Sequence, residues 1–294
     1  MADRFRVVGL GEMLWDVFPS GPVFGGAPAN VACHAAALGA DAAMVSCVGN
    51  DDLGARAIAA LAERGVDTSA VARSGQFPTG TVQVHLSADG QPSYEITRDV
   101  AWDHVPWSSE AKALAARADA VCFGSLAQRS ETTRDTIRRF LKATRPGCLR
   151  VFDVNLRQNF YDDEILRESL EMANALKLND EEALIVAEAC FGERSADPID
   201  RLVRQFDLRL VALTLGSKGA ILAAGGERHE EPAPQTTVAD TVGAGDSFTA
   251  AMILGSLAGW PLAKIAARAT AVAAYVCSQP GATPVLPESL TGGF

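Results

Sequence analysis

The sequence is poor in the features that mark metal-binding and nucleic-acid-binding proteins. Its six cysteines, at positions 33, 47, 122, 148, 190 and 277, form no CxxC or zinc-ribbon spacing, so we expect reduced, mostly buried thiols. Positive charge is scarce, because 26 lysines and arginines stand against 36 aspartates and glutamates, for a formal net charge of −10. A nucleic-acid-binding domain carries the opposite balance, and we therefore expect no nucleic-acid partner.

Long apolar runs are also missing. The longest uncharged stretches, 17–40 and 269–287, are interrupted by proline, glycine and polar residues, which a membrane-spanning helix of ~20 residues tolerates poorly. Asp3, Glu12 and Asp16 interrupt the first residues before any run of signal-peptide length, and no basic segment precedes them. These absences predict a cytoplasmic protein without a membrane partner.

The overall composition is that of a globular protein. Hydrophobic residues make up 48% and charged residues 21% of the 294 residues, far from the composition of disordered chains. No repeat, low-complexity tract or long linker divides the sequence, and we therefore expect a single domain over residues 1–294.

Short apolar runs alternate with alanine-rich helical patterns along most of the chain. Such alternation predicts an α/β fold in which helices connect parallel strands. The predicted strands are 5–10, 44–48, 120–123, 149–154, 175–178 and 210–215, and the predicted helices include 28–38, 54–64 and 131–144.

Residues 79–96 follow a different pattern. Val82, Val84 and Leu86 alternate with polar residues, Asp89 and Gly90 form a turn signal, and a second short run follows. This pattern predicts a β-hairpin. It belongs either to a small separate sheet, acting as a lid or an oligomer contact, or to the edge of the main sheet.

The most informative segment is 240–248, DTVGAGDSF, which precedes an apolar helical run. Gly243 and Gly245 allow a sharp turn that leaves N–H groups bare, and the following helix adds the positive end of its dipole, so the segment suits a phosphate. Asp246 falls in the first helical turn. It is either a helix cap or a reactive carboxylate beside the bound anion.

A second glycine-rich segment, 25–30, also precedes a predicted helix. Backbone groups there and the Asn30 side chain could bind a neutral polyol, with Asp16 accepting hydroxyl protons; the alternative is a tight strand-to-helix turn. Other phosphate motifs fail. No P-loop occurs, Leu14 occupies the third glycine position of a dinucleotide motif, and the protein-kinase motifs are absent.

Segments 25–39 and 240–248 together resemble the two signature regions of the ribokinase-like (pfkB-type) carbohydrate kinases, and the likeness extends from about residue 5 to 287. Segments 11–16 (GEMLWD) and 152–157 (FDVNLR) are most similar to fructokinases. The resemblance implies a three-layer α/β/α fold with a mostly parallel central sheet. It also implies a small β-sheet lid, formed mainly by about 79–98 and nearby N-terminal residues.

The resemblance further implies an ATP-dependent sugar kinase. Asp246 would take the proton of a sugar hydroxymethyl group as its oxygen attacks the γ-phosphate, while the N–H groups of Gly243, Ala244 and Gly245 stabilise the transferring phosphoryl group. Fructose is the leading substrate. The alternatives are ribose, 2-keto-3-deoxygluconate or a nucleoside, and, outside the enzymes, a sugar-binding regulator that has lost turnover.

The remaining site residues are carried over from the same resemblance. The expected sugar contacts are Asp16, Gly26, Asn30, Arg98 and Arg157, although each arginine could instead be a solvated surface residue. The expected nucleotide contacts are Asn179, Glu182, Thr214, Gly216 and Gly219. Glu182 would hold Mg²⁺ through water, and Asp240 with the carbonyls of Val242 and Gly281 would hold a K⁺ ion.

The expected partners are thus a small sugar and ATP. Both faces of the 79–96 hairpin carry apolar residues, and exposed apolar sheets are typical interaction surfaces. We therefore also expect a homodimer formed through the lid.

Overall fold

The computed structural model describes residues 4–86 and 92–294. Within these ranges the strands are β1 (Arg6–Leu10), β2 (Leu14–Phe18), β3 (Gly21–Gly25), β4 (Asp41–Gly49), β5 (Asp67–Ser74), β6 (Gly80–Leu86), β7 (Pro92–Ile96), β8 (Ala120–Phe123), β9 (Leu149–Asp153), β10 (Ala175–Asn179), β11 (Leu210–Thr214), β12 (Ala220–Ala224) and β13 (Glu227–Glu231). The helices are α1 (Ala27–Ala37), α2 (Asp52–Glu63), α3 (Ser109–Ala115), α4 (Glu131–Ala143), α5 (Asp163–Met172), α6 (Asp180–Phe191), α7 (Ile199–Phe206), α8 (Ala244–Leu257), α9 (Leu262–Cys277) and α10 (Glu288–Thr291).

Nine strands form the central sheet, in the order β13-β12-β11-β10-β9-β8-β1-β4-β5. From β11 to β5 every neighbouring pair is parallel, and β12 and β13 are added antiparallel at one edge. All six predicted strands lie in the parallel part, which confirms the α/β prediction.

The strand order reverses direction beside β1. The chain first adds β4 and β5 on one side of β1, and later adds β8 to β11 on the other. In open α/β sheets, ligands bind in the crevice at the carboxyl ends of the strands next to such a reversal. The topology therefore favours a site at the ends of β1, β8 and their neighbours.

Helices cover both faces of the sheet, because successive strand residues point to opposite sides. Val8 and Leu10 of β1 pack into one core with α3 to α7, whereas Val7 packs into a second core with α1, α2, α8 and α9. The result is the three-layer α/β/α arrangement that the sequence predicts.

Local sequence explains where several helices begin. Asp51, Ser108 and Asp162 accept hydrogen bonds from the backbone N–H three residues later and so cap α2, α3 and α5. Helix α1 begins after Gly26, with proline in its first turn, as its sequence predicts.

A separate four-stranded sheet has the order β3-β2-β6-β7. Strands β6 and β7 are the predicted hairpin, and β2 and β3 are the nearby N-terminal residues; the predicted turn at Asp89 and Gly90 lies outside the described residues. Because β6 pairs with β2 and β7 rather than with the central sheet, the edge-hairpin alternative is wrong. A search of the described residues finds no helix with the length and apolar character of a membrane span.

Candidate active site

Several predicted site residues lie at one edge of the central sheet, at the carboxyl ends of its strands. Asn179 ends β10 and Thr214 ends β11, and the two residues are direct neighbours in the parallel pairing. Asp153 ends β9, next in the sheet, and Glu12 follows β1. Residues far apart in sequence therefore converge where the topology favours a ligand.

The anion-binding turn, residues 243–245, lies at the start of α8. Gly243 has a φ of 79°, and a Cβ atom there would lie 2.1 Å from the carbonyl oxygen of Ala282, so glycine is required for two independent reasons. The Ala244 N–H makes only a long contact of 3.4 Å to the Thr241 carbonyl. For the N–H groups of Gly243 and Gly245 we find no hydrogen bond to any described residue, so these donors are available to an anion.

Asp246 lies in the first turn of α8 and is partly exposed. The Asn30 side chain donates a hydrogen bond of 2.8 Å to its Oδ2 atom. Burial, with a further contribution from the negative Asp153, raises the pKa of Asp246 to about 6. A carboxyl with this pKa is mostly ionised at neutral pH yet takes a proton more readily than an ordinary aspartate.

The glycine-rich segment before α1 brings three predicted sugar residues together. Gly26 has a φ of 110°, and a Cβ there would lie 2.7 Å from the carbonyl oxygen of Glu12. Asn30 follows one turn later on α1. Burial raises the pKa of Asp16 on β2 to about 6, and the exposed Arg157 opposes this rise. Arg157 also lowers the pKa of Asp246, so this cation lies near enough to interact with both carboxyls.

Glu12 belongs to this cluster although the sequence analysis assigned it no role. Its side chain is 2% exposed, and burial raises its pKa to about 7, opposed by hydrogen bonds from backbone N–H groups and by Arg157. Its Oε2 atom and the Oδ1 atom of Asn30 have no hydrogen-bond partner. The sequence feature that could have indicated Glu12 is its position, a lone carboxylate directly after a buried strand.

Beneath the anion-binding turn lies a buried ion pair that was likewise not predicted. The Nζ atom of Lys177 lies 3.0 Å from Oδ1 of Asp153, and Thr249 donates 2.8 Å to the other carboxylate oxygen. A Cβ added to Gly245 would lie 3.0 Å from the same Nζ atom. Burial opposes the charge of Lys177, but the Asp153 and Glu182 carboxylates raise its pKa. A permanent positive charge therefore lies directly behind the turn.

Asn179 and Glu182 form a capping box at the start of α6. The Asn179 side chain accepts from the Glu182 N–H, and Glu182 Oε2 accepts from the Asn179 N–H, both at 2.8 Å. Glu182 Oε1 accepts from the Leu156 N–H at 3.1 Å. Burial raises the pKa of Glu182. Both carboxylate oxygens of Glu182 already accept one hydrogen bond from the backbone. Each oxygen retains a second lone pair, which fits a water molecule that bridges to Mg²⁺.

The other predicted nucleotide residues lie in and beside the β11–β12 turn. Thr214 donates 3.3 Å to the Leu178 carbonyl. Gly216 and Gly219 have φ values of 57° and 108°, and a Cβ at Gly219 would lie 1.9 Å from the carbonyl oxygen of Glu231. These glycines thus serve a tight turn, whose position beside Asn179 also suits a nucleotide.

The three residues predicted for K⁺ also meet. Asp240 accepts hydrogen bonds from the Val242 N–H at 3.0 Å and the Gly281 N–H at 3.2 Å. These bonds use the N–H groups and bring the two loops together without engaging the Val242 and Gly281 carbonyls that were predicted to bind K⁺. Among the described residues, no group of three or more His, Cys, Asp or Glu side chains has metal-binding geometry.

Arg98 packs on Phe160, in the turn that begins at Arg157. Its guanidinium carbon is 4.8 Å from the centre of the Phe160 ring, and it lines a cavity of about 460 Å³ with Arg129 and Tyr161. Within the described part of the chain, the residues that line this cavity include no other predicted sugar contact. Contacts and charge interactions thus link Asp16, Gly26, Asn30 and Arg157. Arg98 lies beside the turn that carries Arg157.

Solved structures share this fold over nearly the whole chain. A fructokinase with bound ATP from Xylella fastidiosa superposes with a TM-score of 0.86 at 21% identity, covering 96% of this chain and 95% of that one. An uncharacterized sugar kinase, PH1459 of Pyrococcus horikoshii, in complex with ATP superposes with a TM-score of 0.80 at 29% identity, covering 95% and 94%. The fold is therefore that of the ribokinase-like kinases.

Sequence comparison defines the family. PH1459 is 32% identical over 266 residues, 88% of this chain and 82% of that protein, and the fructokinase of Klebsiella pneumoniae is 31% identical over 258 residues, 84% and 82%. The model of the pfkB family of carbohydrate kinases matches residues 21–289. The chain belongs to the pfkB family of carbohydrate kinases, which are phosphotransferases that use an alcohol group as acceptor.

Proposed function

We propose that the protein transfers the γ-phosphoryl group of ATP to a hydroxymethyl group of a neutral sugar, with fructose as the leading substrate. The observation that carries the proposal is the position of Asp246, which lies beside free N–H groups of the anion-binding turn and is bonded to Asn30 on the sugar side. The fructokinase of Klebsiella pneumoniae among the relatives supports fructose.

In the proposed reaction the hydroxymethyl oxygen attacks the γ-phosphorus, and its bond to phosphorus forms as the bond from phosphorus to the β–γ bridging oxygen breaks. The proton of the hydroxyl passes to the Asp246 carboxylate, and ADP leaves with the bridging oxygen. Asn30 holds the carboxylate in place through its 2.8 Å hydrogen bond. The role of the protein is mainly positioning and charge stabilisation.

Negative charge on the transferring group would be stabilised by the N–H groups of Gly243, Ala244 and Gly245 and by the Lys177 charge behind them. Preorganised donors of this kind contribute about 3 kcal/mol each in known enzymes. Mg²⁺, held through water by Glu182, would neutralise phosphate oxygens. K⁺, held by Asp240 with the Val242 and Gly281 carbonyls, would add positive charge near the turn.

The charges of the sugar cluster support a neutral substrate. Glu12, Asp16 and Asp246 all interact with Arg157, and Asp246 interacts with Lys177 as well. An acidic sugar would place another negative charge beside these three carboxyls. The unpartnered oxygens of Glu12 and Asn30 are acceptors, which sugar hydroxyls can satisfy. Arg98, beside the turn that carries Arg157, remains a proposed contact for the far end of the substrate.

A coupled assay of ADP release tests the proposal on fructose, ribose, 2-keto-3-deoxygluconate and a nucleoside, with Mg²⁺ and K⁺ present. We expect turnover with fructose above the other three. Turnover with another member of the panel would correct the substrate. Silence on the whole panel, with sugar binding retained in calorimetry, would instead support a sugar-binding regulator.

A further inference from the structure

His34 is a buried histidine on α1, one helical turn after Asn30. Its side chain is 1% exposed, and its Nε2 atom lies 2.9 Å from the carbonyl oxygen of Ala282. A carbonyl oxygen can only accept a hydrogen bond, so Nε2 carries the proton and donates it. The other ring nitrogen has no partner. The ring is thus held by this single bond to a segment 248 residues further along the chain.

The bonded carbonyl packs directly on the anion-binding turn. A Cβ placed on Gly243 would lie 2.1 Å from the oxygen and 2.7 Å from the carbon of the Ala282 carbonyl. The Ala282 peptide therefore fixes how closely the loop 278–285 approaches Gly243. A shift of this peptide would change the room available to Gly243, which has a left-handed backbone conformation.

Helix α1 consequently holds two parts of the proposed transfer site from one face, the Asp246 carboxylate and the anion-binding turn. Residues four apart lie above each other on a helix, and Asn30 and His34 have this spacing. Asn30 holds the carboxylate of Asp246 directly, whereas His34 holds Gly243 through Ala282. We propose that His34 is a positioning residue that keeps the anion-binding turn at the position relative to Asp246 that phosphoryl transfer requires. This inference rests on the proposed kinase function.

The test compares three variants. His34→Ala removes the donor, and His34→Gln keeps an N–H that can reach the same carbonyl. Thr136→Val is the matched control, because Thr136 on α4 also donates a buried hydrogen bond to a loop carbonyl, that of Val105, at 2.7 Å. For each protein we would measure kcat, the KM of the best sugar, the Kd of ATP by calorimetry without sugar, and the unfolding midpoint.

For His34→Ala we expect kcat to fall and the Kd of ATP to rise by about 10-fold each, the scale of one lost buried hydrogen bond with its acceptor left unpaired. The KM of the sugar should change by less than about twofold, since Asn30 and Asp246 are untouched. His34→Gln should recover most of both losses. Thr136→Val should lower the unfolding midpoint but leave kcat and the Kd of ATP unchanged.

The inference is overturned if His34→Ala, once shown to be folded, keeps the kcat and ATP affinity of the control, or if His34→Gln is as defective as His34→Ala. An equal loss of sugar affinity would also overturn it. Failure of the proposed function is a separate result: the unmodified protein would then phosphorylate no sugar, and the Kd of ATP alone would decide the role of His34.

Discussion

Replacement of Asp246 by asparagine should abolish most of the turnover while making the fold more stable. The two side chains have nearly the same shape, and the Asn30 side chain can donate its 2.8 Å hydrogen bond to an amide oxygen as it does to the carboxylate. The amide cannot accept the proton of the sugar hydroxyl. Loss of a general base lowers kcat by about 1000-fold, and the affinity for sugar should stay nearly intact.

The gain in stability follows from the raised pKa. In the unfolded chain Asp246 loses its proton near pH 3.8, and in the folded protein near pH 6. Between these values the folded state holds more protons, so its stability falls as the pH rises, and the full penalty is present above pH 6. The shift corresponds to at most about 3 kcal/mol. Asp246→Asn should remove this penalty at pH 8, with the benefit shrinking towards pH 4.

The measurements are a coupled kinase assay, sugar calorimetry and urea unfolding at pH 8 and pH 5. Asp135→Asn on α4 is the control, because it removes a carboxylate from an exposed helical ion pair with Arg139; it should keep full activity and lose no more than about 0.5 kcal/mol. Near-normal turnover of Asp246→Asn would refute its role as the base. Lost turnover together with lower stability at pH 8 would refute the electrostatic argument.

Three further predictions concern the turn, the ion pair and the small sheet. Gly243→Ala should lower both kcat and the free energy of unfolding, the latter by about 2 kcal/mol, because a Cβ meets Ala282 at 2.1 Å; unchanged urea unfolding would contradict this. Lys177→Met should cost about 4 kcal/mol by leaving Asp153 buried and unpaired, and adding Asp153→Asn should recover part of it; no recovery would contradict the pairing. We propose a homodimer through the small sheet, where Tyr94 is 51% exposed. Sedimentation of the unmodified protein should give about twice the 30.9 kDa chain mass, and Tyr94→Glu should reduce the measured mass to that of one chain. A monomeric mass for the unmodified protein would contradict the dimer.

The central strands were predictable because they are buried on both faces and therefore appear as short apolar runs. Strands β5 and β13 were missed for the opposite reason. The sequence of β13, ERHEE, is almost wholly charged and lies at the sheet edge, so no apolar period marks it. The alanine-rich run of β12, AILAA, is ambiguous between helix and strand.

For the site, local sequence was sufficient where one segment forms the structure. The turn before α8 and the start of α1 were both predicted from glycines ahead of a helix. The partnership of Lys177 with Asp153 could not be predicted, since it depends on the adjacency of β9 and β10. The signal was only a charged residue inside each apolar run. The capping box at Asn179 was a missed local pattern, because N-x-x-E suits a helix start as well as a metal.

The sequence separation of 216 positions between Asn30 and Asp246 bears on how activity arises during synthesis and refolding. Forming that contact closes a very long loop, at a cost in chain entropy, and folding rates fall as the sequence separation of native contacts grows. Secondary structure should therefore return before phosphoryl transfer in a refolding experiment. Fragments that lack either partner should acquire no activity, however well their own strands and helices form.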